Sequence, residues 1–100
     1  MILERDVETH LVRVVEQAGG RCVKFSPDSM RGMPDRVVML PGGVLIWVEL
    51  KKPRGGKLSE IQKHRHKELR ALGQRVEVVW SKDDADHLIA LATAATAAPP

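Results

Sequence analysis

Aromatic and cysteine side chains are scarce in this sequence of 100 residues. The aromatic residues are Phe25, Trp47 and Trp80, and there is no tyrosine. Proteins that hold a single strand by stacking successive bases need an aromatic platform, so this class is poorly supported. The single cysteine, Cys22, excludes an internal disulfide and every zinc or iron–sulfur site with several cysteine ligands. Cys22 is compatible with a reducing compartment, and we expect it to be a small buried strand residue.

Long apolar runs are missing as well. No stretch approaches the roughly 18 to 20 apolar residues that span a bilayer. Residues 1–8 are acidic and mixed, whereas a signal peptide is basic and then apolar. We therefore expect no signal peptide and no membrane segment, and a cytoplasmic protein.

The chain has the length of one domain and a mildly basic charge. It contains 16 Lys and Arg against 13 Asp and Glu, a formal charge of +3. This balance permits a polyanionic partner such as nucleic acid without proving one. We predict one domain over residues 1–91 and an Ala, Thr and Pro tail over residues 92–100 that is a frayed helix end or disordered.

The apolar periodicity predicts the order helix, three strands, helix, strand, helix. The first helix covers residues 3–18 and ends at two glycines. A Ser-x-x-Gln capping box, Ser59 to Gln62, begins the second helix, and Ser81 caps the third. A helix connects the last strand to an earlier one, so these two strands should be parallel. The predicted fold class is α/β, with helices around a mixed sheet whose strands cover residues 21–25, 35–40, 44–50 and 76–80.

The second and third strands should form a hairpin that brings two carboxylates together. If it turns symmetrically about Gly42, residues equally far from that glycine are partners, and Asp35 faces Glu49. Lys51 then points to the same face, because side chains alternate along a strand. A slip of one residue would send one of the acids to the opposite face.

Two facing carboxylates repel each other unless a positive charge lies between them. Mg²⁺ prefers one or two carboxylates, water and phosphate oxygens. Beside it, Lys51 could orient or deprotonate a water and stabilise charge that builds on phosphorus. The alternative is a solvated Glu49–Lys51 pair at the strand end, with Asp35 as a turn residue after Pro34. That alternative is favoured for an isolated Glu-x-Lys, but the Gly-x-Pro-Asp sequence, the hairpin spacing and the following helix favour the site.

Three elements carry a resemblance to a known family. Gly32-Met33-Pro34-Asp35, Val48-Glu49-Leu50-Lys51 and Lys57-Leu58-Ser59-Glu60-Ile61-Gln62 resemble the G-x-P-D, E-x-K and K-L-S-x-x-Q elements of the virus-type replication-repair nuclease (VRR-NUC) domain. This family is a branch of the PD-(D/E)xK nuclease superfamily, and the resemblance covers roughly residues 3–81. Each element is weak alone, but the ordered set is specific. The predicted αβββαβ order agrees independently with the restriction-endonuclease-like core of that superfamily.

The resemblance implies roles for individual residues. Asp35 and Glu49 would bind Mg²⁺, or Mn²⁺ as a substitute, together with the backbone carbonyl of Leu50, and Lys51 would serve the attacking water. Gln62 matches the family glutamine near the active site; its alternative role is the capping partner of Ser59, and both roles can hold.

The superfamily also places an acid of the first helix close to the metal. Glu4 and Glu8 are the candidates here. We favour Glu8 for the catalytic and metal site, because a half-buried position facing the sheet edge suits a metal ligand, and an ordinary solvated helix acid is the alternative for each.

Basic residues crowd the sequence around the acidic cluster. Contacts of this kind to phosphates supply affinity and position without reading sequence. A solvated surface of a mildly basic protein is the alternative. His64 and His66 are two residues apart, so they do not share a helix face and make a poor metal pair. The candidate DNA-binding residues are Lys24, Arg31, Arg36, Lys52, Arg54, Lys57 and Lys63.

The predicted function is a Mg²⁺-dependent, structure-specific DNA endonuclease, acting on branched DNA such as four-way (Holliday) junctions in recombination and repair. A non-catalytic module that binds structured DNA and a restriction-type enzyme that cuts duplex are the alternatives. We also predict a homodimer, as in similar stand-alone family members. The second helix has a narrow apolar stripe, and Val44, Ile46 and Trp80 look exposed; the first and last helices could instead cover them.

Overall fold

The computed structural model describes residues 1–96, which form three helices and four strands. The helices are α1 (Glu4–Gln17), α2 (Glu60–Ala71) and α3 (Lys82–Thr96). The strands are β1 (Arg21–Lys24), β2 (Arg36–Leu40), β3 (Val44–Leu50) and β4 (Val76–Val79). The predicted order of elements is therefore confirmed. None of these helices is both long enough and apolar enough to cross a membrane.

The predicted helix caps are present. Ser59 Oγ accepts a hydrogen bond from Gln62 N, and Gln62 Oε1 accepts one from Ser59 N, which completes the capping box of α2. Ser81 Oγ accepts from Asp84 N at the start of α3. α3 continues beyond the predicted domain boundary at residue 91, and Ala92 is buried in the core. The rest of the predicted tail, residues 97–100, lies outside the described residues.

The four strands form one mixed sheet in the order β1-β2-β3-β4. β1 and β3 are both antiparallel to β2, whereas β4 is parallel to β3, as the helical connection predicts. In the hairpin, Leu40 is the partner of Val44 and Val38 is the partner of Ile46. The symmetric register about Gly42 is therefore confirmed.

One face of the sheet carries the apolar core, and we call it the core face. Val38, Ile46 and Val48 lie on it and are fully buried. They pack against Val7, Leu11 and Val15 of α1 and against apolar residues of α3. The expectation that Ile46 is exposed is wrong, because α1 and α3 cover this face; Val44 and Trp80 are half-buried. Cys22 is also only half-buried, at the edge of the same core.

The other face, which we call the α2 face, is only partly covered. Glu49 lies on it and is buried, since two α2 side chains contact its carboxylate. Next to that region, Phe25 packs edge-on against Trp47 with ring centroids 5.2 Å apart. Farther from α2, Met39 and Leu45 expose 39% and 42% of their surface. This half of the sheet has apolar residues without a covering helix.

Candidate active site

The candidate site lies where β2 begins and β3 ends. Arg36 is the partner of Val48, and the same register continued by one residue places Asp35 opposite Glu49. Asp35 O accepts a hydrogen bond from Phe25 N at 2.9 Å, so the β1–β2 ladder also fixes the backbone of Asp35. Asp35 Oδ2 accepts from Leu50 N at 2.8 Å. The sheet thus brings Asp35 and Glu49 together on the α2 face.

Gly32 allows the loop before Asp35 to lie directly on α2. Its φ is +84°, in the region that favours glycine, and a Cβ atom would lie 2.6 Å from Ile61 O. Arg65 Nε of α2 donates to Arg31 O of the same loop at 3.1 Å. The glycine of the Gly-x-Pro-Asp element therefore sets the distance between the loop that carries Asp35 and the helix that contacts Glu49.

The environment of Glu49 opposes its negative charge. The pKa of Glu49 is raised from 4.5 to about 9. Burial is the largest cause; a hydrogen bond with Asp35 and the negative charges of Asp35 and Glu4 also raise the pKa, while the Lys51 ammonium lowers it. A buried acid of this kind holds a proton at neutral pH unless another positive charge replaces that proton. The pair therefore has the donor chemistry of a site for a hard divalent cation.

Gln62 has both of the roles that the sequence left open. Its backbone N–H and side-chain oxygen complete the capping box with Ser59, and its Nε2 donates to Glu49 Oε2 at 3.3 Å. The residue that begins α2 therefore also contacts the buried carboxylate.

His66 also contacts the carboxylate, a role that the sequence analysis did not predict. Its Nε2 lies 3.0 Å from Glu49 Oε1, and both side chains are buried. Burial, the Arg70 charge and the Lys51 charge lower the pKa of His66 against an opposing effect of Asp35, so the ring is neutral at neutral pH. The available signal was the spacing of four residues from Gln62, which places both side chains on one helix face.

The two candidate acids of α1 have different surroundings. Glu8 Oε2 accepts from Arg36 Nε at 3.0 Å, and Arg36 also donates to Cys22 O, so this pair connects α1 to the first two strands. The negative charge of Glu4 is one of the causes that raise the pKa of Glu49, whereas the contact shown for Glu8 is its ion pair with Arg36. The assignment of Glu8 to the metal site stays a prediction, with Glu4 as the other candidate.

The basic residues predicted to bind DNA fall into two groups, those held in ion pairs and those exposed around the site. Arg36 is engaged with Glu8 and is only 17% exposed in its side chain. Lys63 is exposed and forms an ion pair with Glu60 at 3.1 Å. The others are exposed on β1 and in the loops around the site: Lys24, Arg31, Lys52, Arg54 and Lys57.

Among residues 1–96, no three His, Cys, Asp or Glu side chains form a group that could hold a metal ion. Asp35 and Glu49 supply two carboxylates, so a cation bound here would take its remaining ligands from a backbone carbonyl, such as that of Leu50, and from water or phosphate.

Comparisons with known proteins cover most of the chain. No family model matches it. The chain is 45% identical over 83 residues to "Putative nuclease p44" of Acyrthosiphon pisum secondary endosymbiont phage 1, a match that covers 83% of this chain and 88% of the relative. A solved VRR_NUC domain superposes with a TM-score of 0.81 at 36% identity, and the match covers 87% of this chain and 94% of that domain. The chain belongs to the VRR-NUC family.

This VRR-NUC protein is thus a member of a nuclease family, and its α/β fold is that of the solved domain. The resemblance based on three short sequence elements is confirmed over most of the chain. Asp35, Glu49, Lys51 and Gln62 all come from those elements. The first three lie on the α2 face of the sheet, and Gln62 contacts Glu49 from α2.

Proposed function

We propose that this VRR-NUC protein is a Mg²⁺-dependent endonuclease that hydrolyses phosphodiester bonds in branched DNA such as four-way junctions. The observation that carries the proposal is the Asp35–Glu49 pair: two carboxylates meet on one face of the sheet, and one of them is buried with a pKa of about 9. Such an arrangement is costly for the fold alone, because burial disfavours the charged carboxylate. The nuclease relative and the solved family domain support the same class of enzyme.

The residues of the site fit a hard divalent cation. Asp35, Glu49 and the carbonyl of Leu50 would hold Mg²⁺ or Mn²⁺, and Glu8 or Glu4 of α1 would complete the site. A bound ion would supply polarisation of the scissile phosphate and a lower pKa for a water molecule. Lys51 lies two residues after Glu49 on the same face, where its ammonium can orient the water and stabilise negative charge on the phosphate oxygens. The expected products carry a 5′-phosphate and a 3′-hydroxyl.

The exposed basic residues would bind the DNA backbone. Lys52, Arg54 and Lys57 lie in the loop between β3 and α2, directly after Lys51. Basic side chains next to the carboxylates let phosphates approach a site whose own acids repel them. Arg36 is less available to phosphates than these residues, because its guanidinium is paired with Glu8 and its side chain is 17% exposed.

A homodimer would place two such sites on two strands of a junction. The open half of the α2 face supports this proposal, since Val23, Met39 and Leu45 each expose about two fifths of their surface and a second copy could cover them. The phage relative is consistent with the cytoplasm of a bacterial cell or of a phage-infected host.

Cleavage of defined DNA tests the function. The purified protein is incubated with labelled four-way junction, flap, nicked duplex and linear duplex, each with Mg²⁺ or with EDTA. We expect cleavage of the junction with Mg²⁺, and Asp35→Asn and Lys51→Ala should each lower its rate on the order of a thousandfold while DNA binding is retained. Lys82→Ala, an exposed change at the start of α3, is the control for loss of a positive charge.

Three outcomes would contradict parts of the proposal. If no substrate is cut with Mg²⁺ or Mn²⁺ although the junction is bound, the protein is a binding module. Equal cutting of linear duplex would remove the selectivity for branched DNA. Wild-type rates in Lys51→Ala would remove the assigned role of that lysine.

A further inference from the structure

His66 lies beside the proposed metal site and contacts Glu49 without being a metal ligand itself. Its ring is buried in α2, one helical turn after Gln62. Each of the two residues contacts a different oxygen of one carboxylate: His66 Nε2 lies 3.0 Å from Glu49 Oε1, and Gln62 Nε2 lies 3.3 Å from Oε2. One face of α2 therefore contacts both oxygens of the Glu49 carboxylate.

The hydrogen-bond inventory indicates which group is the donor. An ionised carboxylate only accepts, so a neutral His66 that bonds to it carries its proton on Nε2. Its Nδ1 is then a lone pair, and within residues 1–96 this buried atom has no partner. The opposite tautomer would bury an N–H group without an acceptor, and buried N–H groups without a partner are rare in folded proteins. The surroundings of His66 therefore fit a donor to the charged form of Glu49.

The form of Glu49 that accepts from His66 is also the form that binds a cation. Metal ligands of this type must be deprotonated. The terminal torsion of a glutamate is broad and roughly two-fold, so the carboxylate of an unrestrained side chain rotates. Two donors on opposite oxygens remove that freedom. Each oxygen still keeps a second lone pair for another partner.

We propose that His66 is a positioning residue of the metal site, which together with Gln62 fixes the rotation of the Glu49 carboxylate beside Asp35. This inference rests on the proposed function. Partners that orient a metal ligand in this way commonly contribute 10- to 100-fold to metal affinity. A role in filling the core alone would depend on the volume of the ring and not on its Nε2–H group.

Three substitutions at His66 separate these roles. His66→Gln keeps an N–H donor at about the reach of Nε2. His66→Asn buries the same amide group, but its donor ends too close to the helix to reach Glu49. His66→Phe fills the volume of the ring without any donor. His87→Gln, an exposed change on α3, is the control for general loss of a histidine that could bind metal.

The readout is direct binding of Mn²⁺, measured from the electron paramagnetic resonance signal of the free ion, on proteins whose folding is checked by circular dichroism. We expect His66→Gln and His87→Gln to stay within about threefold of the wild-type affinity, and His66→Asn and His66→Phe to bind on the order of 10- to 100-fold more weakly. If the Phe variant fails to fold, the comparison of Gln with Asn decides alone.

The outcomes distinguish this inference from the proposed function. If the wild-type protein binds no Mn²⁺, the metal-dependent function fails. If it binds Mn²⁺ and the Asn and Phe variants bind equally well, only the role of His66 is overturned. Equal weakening of the Gln and Asn variants also overturns it, because the reach of the donor would then be irrelevant.

Discussion

The two faces of the sheet are formed by the same strands but differ in what they bury: one buries apolar side chains and the other buries polar ones. On the core face, apolar side chains of β2 and β3 pack against α1 and α3, and Val38, Ile46 and Val48 are fully buried. On the α2 face, the fully buried side chains next to the sheet are the polar Glu49 and His66, and apolar residues farther along are exposed. Side chains alternate between the faces, so a single strand such as β3 serves both.

The difference shows which face stabilises the protein and which face carries its chemistry. Burial of apolar side chains is favourable at roughly 25 cal/mol per Å², whereas burial of a carboxylate is costly unless its charge is compensated. The core face can therefore stabilise the domain and offset the cost of burying the Glu49 carboxylate on the α2 face. Three predictions test this division.

The largest effect is expected from neighbouring residues of β3 that point to opposite faces. Ile46→Ala should lower the free energy of unfolding by about 2 to 5 kcal/mol, because it leaves a cavity in the packed core. Leu45→Ala removes a side chain that is 42% exposed in the single chain and should cost less than about 1 kcal/mol at protein concentrations where the chain is monomeric. Urea unfolding of both variants at the same protein concentration measures the difference.

Equal losses of unfolding free energy in the two variants would contradict the proposed difference between the two faces. If the loss in Leu45→Ala grows with protein concentration, a second copy covers the α2 face, and light scattering should then give twice the mass of 11.1 kDa.

A smaller change in the free energy of unfolding is expected when the pH is raised. The folded pKa of Glu49, about 9, lies above its ordinary value of 4.5, so between these values the folded protein holds a proton that the unfolded chain has lost. The stability contributed by this proton is complete below the ordinary pKa and is lost as pH rises. From about pH 6 to about pH 7.5, the metal-free protein should lose about 2 kcal/mol.

Thermal unfolding at several pH values checks the pH effect. Glu49→Gln should remove the loss and melt higher than the wild type at about pH 8. Glu60→Gln, an exposed change in α2, controls for the general loss of a negative charge. A wild type whose stability rises over this range while Glu49→Gln is flat would show that Glu49 is not held in its protonated form.

The smallest effect is expected from two glycines with similar backbones and different surroundings. Gly32 and Gly43 have φ values of +84° and +79°, but an added Cβ atom meets Ile61 O at 2.6 Å from Gly32 and meets nothing within 4 Å from Gly43. Both alanine variants should lose about 1 kcal/mol through strain in the backbone. Gly32→Ala should lose about 1 kcal/mol more, and only this variant should weaken Mn²⁺ binding, since it separates α2 from the loop of Asp35. Identical behaviour of the two variants would show that the contact with α2 is unimportant.

Local sequence signals were sufficient for the parts of this protein that depend on neighbours in the chain. The Ser59 capping box and the hairpin register about Gly42 depend on a few adjacent residues, and both are confirmed. The register alone places Asp35 opposite Glu49, with no knowledge of the rest of the fold.

The remaining features depend on how distant elements pack. The burial of Ile46 is due to α1 and α3 together, which strand composition does not encode. Glu4 and Glu8 lie one helical turn apart, and the angle of α1 against the sheet decides which approaches Glu49. The spacing of His66 from His64 gives no sign of its role, because its partner Glu49 is on another element.

The position of the α2 N-terminus is fixed by its contact with the sheet and not by the loop that precedes it. Ser59 caps the helix, and Gln62 connects that cap to Glu49. The loop over residues 52–56 therefore does not determine where the helix begins, so its length and sequence can vary without moving the carboxylates or the helix. Relatives could acquire different DNA preferences by exchanging this loop alone, with the same carboxylates, lysine and helix behind it.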